Sequence, residues 1–114
     1  MKFNFKNKNI FVSGGTHGIG LECSIHFAKL GANIISFSRD EKKINNMCKK
    51  LKKFKRKNLI EVGDILDKNF VDDFPKEVLK RYKNIDILIH NIGGGGRWGE
   101  KDFLKSENHT WEDV

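Results

Sequence analysis

Short apolar runs alternate with longer amphipathic segments along this chain. Residues 10–12, 33–38, 58–62 and 85–90 are rich in β-branched and aromatic side chains, which predicts four strands. The fourth run is nearly all apolar, as is typical of a strand that is buried on both faces of a sheet. Because strands and amphipathic segments alternate, the pattern predicts an α/β fold with a parallel sheet and right-handed crossovers.

The three amphipathic segments between these strands predict helices. Their predicted inner faces are Ile19, Cys23, Phe27 and Leu30, with Ile25 and Ala28 as neighbours, in the first, Ile44, Met47, Leu51 and Phe54 in the second, and Phe70, Phe74, Val78 and Tyr82 in the third. Gly31 is placed to end the first helix, and Asp40 is an N-cap candidate for the second. The third segment contains Pro75, so we expect its regular helix to begin there, with Asp72 or Asp73 near the cap.

The last part of the sequence differs from the rest. Residues 93–99 are glycine-rich, which predicts a loop. Residues 110–114 look like the start of a helix, with Thr110 as the cap and Asp113 at the capping-box position. Since a helix that begins at the last residues has no body, we expect residues 1–114 to form one partial α/β domain.

The composition is that of a globular, charged protein. The chain has 114 residues, of which 38% are hydrophobic and 32% are charged, and its net charge is +7. This length fits one domain but is short for a nucleotide-binding domain with two βαβαβ halves. Only a short apolar run follows the basic start of the chain, so the sequence predicts neither a signal peptide nor a membrane span. We expect a cytoplasmic protein with no membrane partner.

Two features that often carry function have plain structural interpretations here. Cys23 and Cys48 lie in predicted helices without metal-ligand spacing, so we expect buried or half-buried side chains in a reducing compartment and no metal site. The basic cluster of Lys42, Lys43 and residues 49–57 lies opposite the apolar stripe of the second helix and contains few aromatic residues. We interpret it as a solvated face and expect no nucleic-acid partner, while a nucleic-acid binder would show salt-dependent DNA binding.

A glycine-rich turn at residues 12–20, Val-Ser-Gly-Gly-Thr-His-Gly-Ile-Gly, separates the first strand from the first helix. Glycine accepts positive φ, and its lack of a Cβ lets backbone N–H groups and a helix N-terminus approach a pyrophosphate. The turn does not match the G-x-G-x-x-G fingerprint, so by itself it is a weak signal. It predicts a turn that holds a phosphate.

Polar residues follow the other three strands at the distances that a dinucleotide site requires. Ser38 and Arg39 end the second strand, about twenty residues beyond the turn, where an acid suits a ribose 2′-hydroxyl and an arginine suits a 2′-phosphate. Asp64 ends the third strand and Asn91 the fourth. Ligands of open α/β sheets bind at the carboxyl ends of the strands, so these residues predict a dinucleotide site with a bound phosphate at Arg39.

These motifs resemble, in order, those of the short-chain dehydrogenase/reductase family. Residues 13–20 resemble its Thr-Gly-x-x-x-Gly-x-Gly turn, with serine for threonine; Asp64, with Ile65 beside it, resembles its acidic residue after the third strand. Residues 91–93 resemble its Asn-Ala-Gly motif, with isoleucine for alanine, and residues 107–114 resemble the opening of its fourth helix. The resemblance implies a Rossmann-like three-layer parallel sheet with strand order 3-2-1-4.

The resemblance also implies a function, the cofactor-binding half of an NADP(H)-dependent oxidoreductase that interconverts a carbonyl and an alcohol by hydride transfer. In the family, NADP preference is associated with an arginine at the position of Arg39 and a basic residue at that of His17, so NAD is the less expected cofactor. The implied cofactor-binding residues are Gly14, Thr16, His17, Gly18, Ile19, Gly20, Ser38, Arg39, Asp64, Ile65, Asn91 and Gly93.

No catalytic residue is assigned in this chain. The family uses a serine and a tyrosine followed four residues later by lysine, but the one tyrosine here, Tyr82, is followed at that distance by Asp86. His90, in the fourth apolar run, is expected to be a hydrogen-bonded core histidine. The resemblance implies a small carbonyl or alcohol substrate and a homo-oligomer for a full-length protein only. A non-catalytic nucleotide-binding or interaction module is the alternative.

Overall fold

The computed structural model describes residues 3–91, which form one parallel sheet flanked by helices. The strands are β1 (Asn9–Ser13), β2 (Asn33–Ser38), β3 (Leu59–Val62) and β4 (Ile87–His90). The helices are α1 (Gly18–Lys29), α2 (Glu41–Leu51), which continues into a 3₁₀ turn at Lys52–Phe54, and α3 (Lys68–Arg81). The sheet order is β3-β2-β1-β4, so the predicted fold is confirmed. The predicted loop at 93–99 and the predicted helix start at 110–114 lie outside the described residues.

The sheet separates two apolar layers because side chains alternate along each strand. On one face, α1 and α2 cover Ile10, Val12 and Ile34. On the other face, α3 covers Ile35 and Leu59. The register aligns Ile10 with both Ile34 of β2 and Ile87 of β4. Within residues 3–91, no helix combines the length and the apolar character needed to cross a bilayer.

The predicted inner face of α1 is only partly correct: Ala28 is buried and Phe27 and Ile25 pack on the core, but Ile19 and Leu30 do not. Ile19 is 76% exposed and Leu30 39% exposed, whereas the buried side of the helix consists of Gly20, Leu21, Ser24 and Ala28. Three of these residues recur every fourth position and are small, so the helix lies close to the sheet, and the Ser24 hydroxyl donates to the Gly20 carbonyl at 2.9 Å. Apolar periodicity selected mainly the large side chains, because it gives little weight to small residues that pack by close approach. Gly31 has φ of +112° just beyond the helix, as predicted.

The second helix follows its sequence pattern. The Asp40 carboxylate accepts hydrogen bonds from the backbone N–H groups of Lys42, at 2.9 Å, and Lys43, at 3.4 Å, which confirms it as the N-cap. The buried side chains are Ile44, Met47 and Leu51. The lysines of the basic cluster are exposed, as expected of a solvated face. Cys23 is half-buried, but Cys48 is exposed, so the prediction of burial is wrong for Cys48 because that position lies on the outer side of α2.

The third helix is continuous through Pro75, so the predicted restart at this residue is wrong. The cap is Asp67, whose carboxylate accepts from the N–H groups of Asn69 and Phe70, and not Asp72 or Asp73. Proline removes one helical hydrogen bond. The predicted inner face is nevertheless correct, and its side chains on both sides of Pro75 pack in the core. Phe74 and Val78 are buried, and the Phe70 and Phe74 rings stack with centroids 5.0 Å apart.

The fourth strand is not buried on both faces, contrary to its apolar sequence. Ile87 and Ile89 are half-buried and pack on the layer of α1 and α2, but Leu88 is 65% exposed. The reason is the position of α3, whose apolar side chains pack on residues of β1, β2 and β3. His90, on the same face as Leu88, is exposed rather than a core residue.

Candidate functional site

The carboxyl edge of the sheet is where the predicted site residues meet. All strand pairs are parallel, so the four strands end at the same edge. The strand order puts the glycine turn after β1 between the end of β2, with Ser38 and Arg39, and the end of β4, with Asn91. Asp64 follows β3 on the far side of β2. Sequence position alone does not reveal this order of neighbours.

Glycine is required in the turn for two separate reasons. Gly14 and Gly18 have φ of +68° and +55°, which favours glycine. Gly20 is required by close approach, because a Cβ placed there would lie 2.0 Å from the Gly14 carbonyl oxygen and 2.9 Å from Asn91 Nδ2. The turn is therefore closed against the first turn of α1, with the Asn91 amide beside it.

A fourth glycine, Gly15, also supports the turn, and the sequence reasoning missed it. A Cβ at this position would lie 2.8 Å from Ser36 Oγ and 3.0 Å from Ser24 Oγ. Ser36 is buried and donates to the Val12 carbonyl at 2.7 Å. Two serines from β2 and α1 thus occupy the space below the turn. The signal in the sequence was the pair Gly14 and Gly15, only one of which the motif requires.

The N-terminus of α1 differs from those of the other two helices. Its N-cap, His17, has extended backbone and makes no capping hydrogen bond with its side chain. The other helices α2 and α3 are capped by the carboxylates of Asp40 and Asp67. His17, Gly18 and Ile19 are exposed, while Thr16 is buried. The positive end of α1 thus faces the carboxyl edge without a side-chain cap, an arrangement that suits an anion.

A hydroxyl group joins the ends of β1 and β4. Ser13 Oγ lies 2.8 Å from His90 Nδ1 and accepts a hydrogen bond from the Asn91 backbone N–H at 3.1 Å. Ser13 is buried, whereas His90 and Asn91 are exposed. The contact between Ser13 and His90 was not predicted, because it depends on the register that aligns these two residues across the strands.

The ends of β2 and β3 are joined through their backbones. The Gly63 N–H donates to the Ser38 carbonyl at 2.9 Å, and Ser38 Oγ accepts from the Asp40 N–H at 3.1 Å. The Asp64 carboxylate accepts from the Leu66 N–H at 2.9 Å. Arg39 is exposed, so its guanidinium is accessible to a ligand.

Of the other predicted residues, Ile65 is partly exposed and Gly93 lies outside the described residues. Arg39, Asp64 and Ile65 flank the turn on the side of β2 and β3, while Asn91 contacts it directly. The members of the predicted set within residues 3–91 therefore lie along one edge, with a compact centre at Gly14, Gly20 and Asn91.

Tyr82 lies at the opposite edge. It follows α3, and its hydroxyl donates to the backbone carbonyl of Lys57 near the amino-terminal end of β3. Burial raises the pKa of Tyr82, and the nearby Arg81 lowers it by less. A neutral, hydrogen-bonded phenol at this position is a structural group and is separated from the carboxyl edge by the length of the sheet.

Comparison with known proteins agrees with this architecture. The family model described as short chain dehydrogenase matches residues 8–114. The dehydrogenase/reductase SDR family member 7B of Xenopus laevis is 28% identical over 90 residues, an alignment that covers 74% of this chain and 28% of that protein.

Solved structures give the same picture. The L-sorbose reductase of Gluconobacter frateurii, in a complex with NADPH and L-sorbose, is 25% identical with a TM-score of 0.78; the match covers 98% of this chain and 42% of that one. The F189W actinorhodin polyketide ketoreductase, with NADPH, is 25% identical with a TM-score of 0.72, and the match covers 95% and 40%. The chain spans less than half the length of each of these relatives. The match to the family model over almost the whole sequence leads to one conclusion: this chain belongs to the short-chain dehydrogenase family.

Proposed function

We propose that this chain is the NADP(H)-binding half of an oxidoreductase that interconverts a carbonyl and an alcohol. The observation that carries the proposal is the N-terminus of α1, which has no side-chain cap and lies beside the contact of Gly14, Gly20 and Asn91. Backbone N–H groups at such a terminus, with no Cβ in the way, suit a pyrophosphate. The residues present therefore fit a dinucleotide.

The parts of the cofactor are assigned along the carboxyl edge. The pyrophosphate would lie on the turn and the start of α1, on Gly14, Thr16, His17, Gly18, Ile19 and Gly20. The adenosine ribose and its phosphate would lie at Ser38 and Arg39, and the adenine at Asp64 and Ile65. Asn91 and Gly93 would orient the rest of the molecule. When bound, the cofactor supplies or accepts the hydride, and these residues hold and orient it.

The preference for NADP over NAD rests on Arg39. Its exposed guanidinium follows β2, where the adenosine ribose is expected, and a guanidinium binds phosphate oxygens with two parallel hydrogen bonds. His17 is the second, weaker contributor, since a neutral imidazole adds only a hydrogen bond. Two structural relatives are described with NADPH, which supports the same choice.

Titration with NADPH and NADH tests this assignment. Arg39→Asp is expected to lower NADPH affinity by about tenfold or more, because one charged hydrogen-bonding partner is lost, and to shift the preference toward NADH. Lys29→Asp, an equal change of charge at an exposed position of α1, is the matched control and is expected to leave the ratio of the two affinities unchanged. The same ratio in Arg39→Asp as in the unaltered chain would refute the NADP assignment.

The two candidate functions, an oxidoreductase and a non-catalytic nucleotide-binding module, can be distinguished by the coding sequence of the gene. Hydride transfer to a carbonyl needs a group that passes a proton, and the family pairs a tyrosine with a lysine four residues later for this purpose. We expect the reading frame beyond the codon for Val114, or an adjacent frame, to encode a Tyr-x-x-x-Lys sequence. Its absence from the gene would favour a nucleotide-binding module without catalysis.

A further inference from the structure

The hydrogen bonds around Ser13 single out His90. The Ser13 side chain is 2% exposed, and among residues 3–91 its Oγ has three polar neighbours, namely His90 Nδ1 at 2.8 Å, the Asn91 N–H at 3.1 Å and the Ile89 carbonyl at 3.3 Å. A serine hydroxyl has one hydrogen to donate and can accept two. The Asn91 N–H is a donor, so Ser13 accepts there, and its own hydrogen goes either to His90 or to Ile89.

The distances favour His90 as the acceptor. The separation of 2.8 Å is typical of a good hydrogen bond from a hydroxyl, whereas 3.3 Å to the Ile89 carbonyl is long for one. His90 Nδ1 must then be unprotonated, which places the ring hydrogen on Nε2. Ser13 Oγ can accept from the Asn91 N–H in either tautomer, but in this one the hydrogen bond donated to His90 also fixes the Ser13 hydroxyl.

The orientation of Asn91 matters because of what its side chain contacts. Asn91 Nδ2 lies within 2.9 Å of the point where a Cβ of Gly20 would stand, at the first turn of α1. A change in the Asn91 backbone therefore moves an amide group against the turn that holds the start of α1. His90 is thus linked to the turn by its hydrogen bond with Ser13, the hydrogen bond of Ser13 with Asn91, and the contact of Asn91 with the turn.

We propose that His90 is a positioning residue of the dinucleotide site. Its neutral Nε2–H tautomer accepts the Ser13 hydroxyl hydrogen and so holds the Ser13 side chain in the rotamer whose Oγ accepts from the Asn91 N–H, which holds Asn91 against the glycine turn. His90 itself does not contact the cofactor in this arrangement. The proposal rests on the proposed function, because the site it positions is the dinucleotide site assigned above.

Two variants distinguish the effect of the hydrogen bond between Ser13 and His90 from the effect of side-chain volume at position 90. His90→Asn places an amide oxygen near the former Nδ1, whereas His90→Gln places it near the former Nε2, so only the first can accept from Ser13. We expect His90→Gln to bind NADPH about fivefold more weakly, the loss expected for one neutral hydrogen bond, and His90→Asn to stay within about twofold of the unaltered chain. Equal losses in the two variants would overturn the proposal.

A second measurement does not depend on the cofactor. In the chain labelled with ¹⁵N-histidine, NMR is expected to show His90 Nδ1 as an unprotonated acceptor and Nε2 as protonated, with the resonance assigned by its loss in His90→Asn. In Ser13→Ala this preference should relax toward a mixture of tautomers. A protonated Nδ1 in the neutral ring of the unaltered chain would overturn the proposal. A chain with the expected tautomer and no affinity for NADPH would instead refute the proposed function.

Discussion

The two edges of the sheet differ in what lies between the ends of their strands. At the amino-terminal edge, polar side chains hydrogen-bond to the backbone and to one another; these are Asn9, Asn33, Asn58, Asn84 and Asp86. At the carboxyl edge, Gly14 and Gly20 bring backbone close to backbone, and the first turn of α1 has no side-chain cap. Side chains at the first edge accept from backbone donors, whereas the start of α1 at the second edge presents backbone N–H groups without a capping side chain.

The contacts at the amino-terminal edge link all four strands. Asn58 Oδ1 accepts from the Ile34 N–H at 2.8 Å, which joins the start of β3 to β2. Asn33 Nδ2 donates to Asn9 Oδ1 at 3.0 Å, and the Asn9 N–H donates to Asp86 Oδ2 at 2.8 Å, which continues the link to β4. Stability and binding are therefore separable in one direction: substitutions at the amino-terminal edge should change stability alone, whereas substitutions that disturb the glycine turn at the carboxyl edge should change binding as well. Three substitutions at the edges test this separation and a fourth tests a charge within β3; they follow in order of decreasing expected effect.

Gly20→Ala should damage the carboxyl edge most. The new Cβ would lie 2.0 Å from the Gly14 carbonyl oxygen, so the turn has to move. We expect a decrease of about 3 kcal/mol in the free energy of unfolding and a loss of NADPH affinity of about a hundredfold or more. Denaturant unfolding and NADPH titration measure the two effects. Glu22→Ala, at an exposed position of the same helix, is the control, and a Gly20→Ala variant with unaltered affinity would contradict the role given to the turn.

Asn58→Ala should damage the other edge and spare binding. It removes the acceptor of the Ile34 N–H, and Ile34 is fully buried, so a donor is left without its partner. The expected cost is about 2 kcal/mol in the free energy of unfolding, with NADPH affinity unchanged in the folded protein. Asn46→Ala, at an exposed position of α2, is the matched control for urea denaturation. A parallel loss of affinity in Asn58→Ala would mean that the two edges are coupled.

Tyr82→Phe should have a smaller effect at the same edge. It removes the hydroxyl that donates to the Lys57 carbonyl, for an expected cost of about 1 kcal/mol. Because burial raises the pKa of Tyr82 in the folded state, the unaltered chain should lose stability as the pH rises above about 10, where the unfolded tyrosine ionises first. Urea midpoints measured from pH 8 to 11 should show that loss in the unaltered chain and a flatter profile in Tyr82→Phe.

Glu61→Gln should give the smallest effect, and with the opposite sign. Partial burial raises the pKa of Glu61 on β3, the neighbouring Glu77 carboxyl raises it further, and Arg81 lowers it. A raised pKa means that the folded state is favoured below about pH 4.5 and loses this contribution as the pH rises and Glu61 ionises. The glutamine variant should be more stable at pH 7 by less than about 0.5 kcal/mol, and the gain should vanish at pH 4. A gain that persists at low pH would have another cause.

The sequence predicted the order of elements and the inner faces of α2 and α3, because large apolar residues with regular spacing determine both. It failed in part for α1, where Gly20 and Ser24 are buried and Ile19 is exposed. It also failed for Leu88, since the apolar character of a strand does not reveal how far the helix above it extends. The first error concerns how closely a helix packs on the sheet, and the second concerns how much of a strand a helix covers. Both depend on residues that are distant in the sequence.

The residues that would contact a ligand were easier to predict from the sequence than the residues that hold them in place. Gly14, Gly20 and Asn91 are recognisable from motif and spacing, and the structure brings them into contact. The bond between Ser13 and His90 and the serines beneath Gly15 were not readable, because they depend on the register between strands and on the depth of a helix over the sheet. Short-range patterns encode the groups that would contact a ligand, while the groups that hold them in place come from long-range pairing.

The small buried side of α1 has a consequence for the evolution of the phosphate turn. Gly20, Ser24 and Ala28 set the height of the helix above the sheet, and the same helix begins at the turn. Enlarging Ala28 by one or two methyl groups would push α1 away from the sheet. The backbone N–H groups at its N-terminus would move with it, although no residue of the turn is altered. The volume of a side chain about 15 Å away along the helix, ten residues at 1.5 Å per residue, would thus adjust how closely the start of α1 approaches a phosphate.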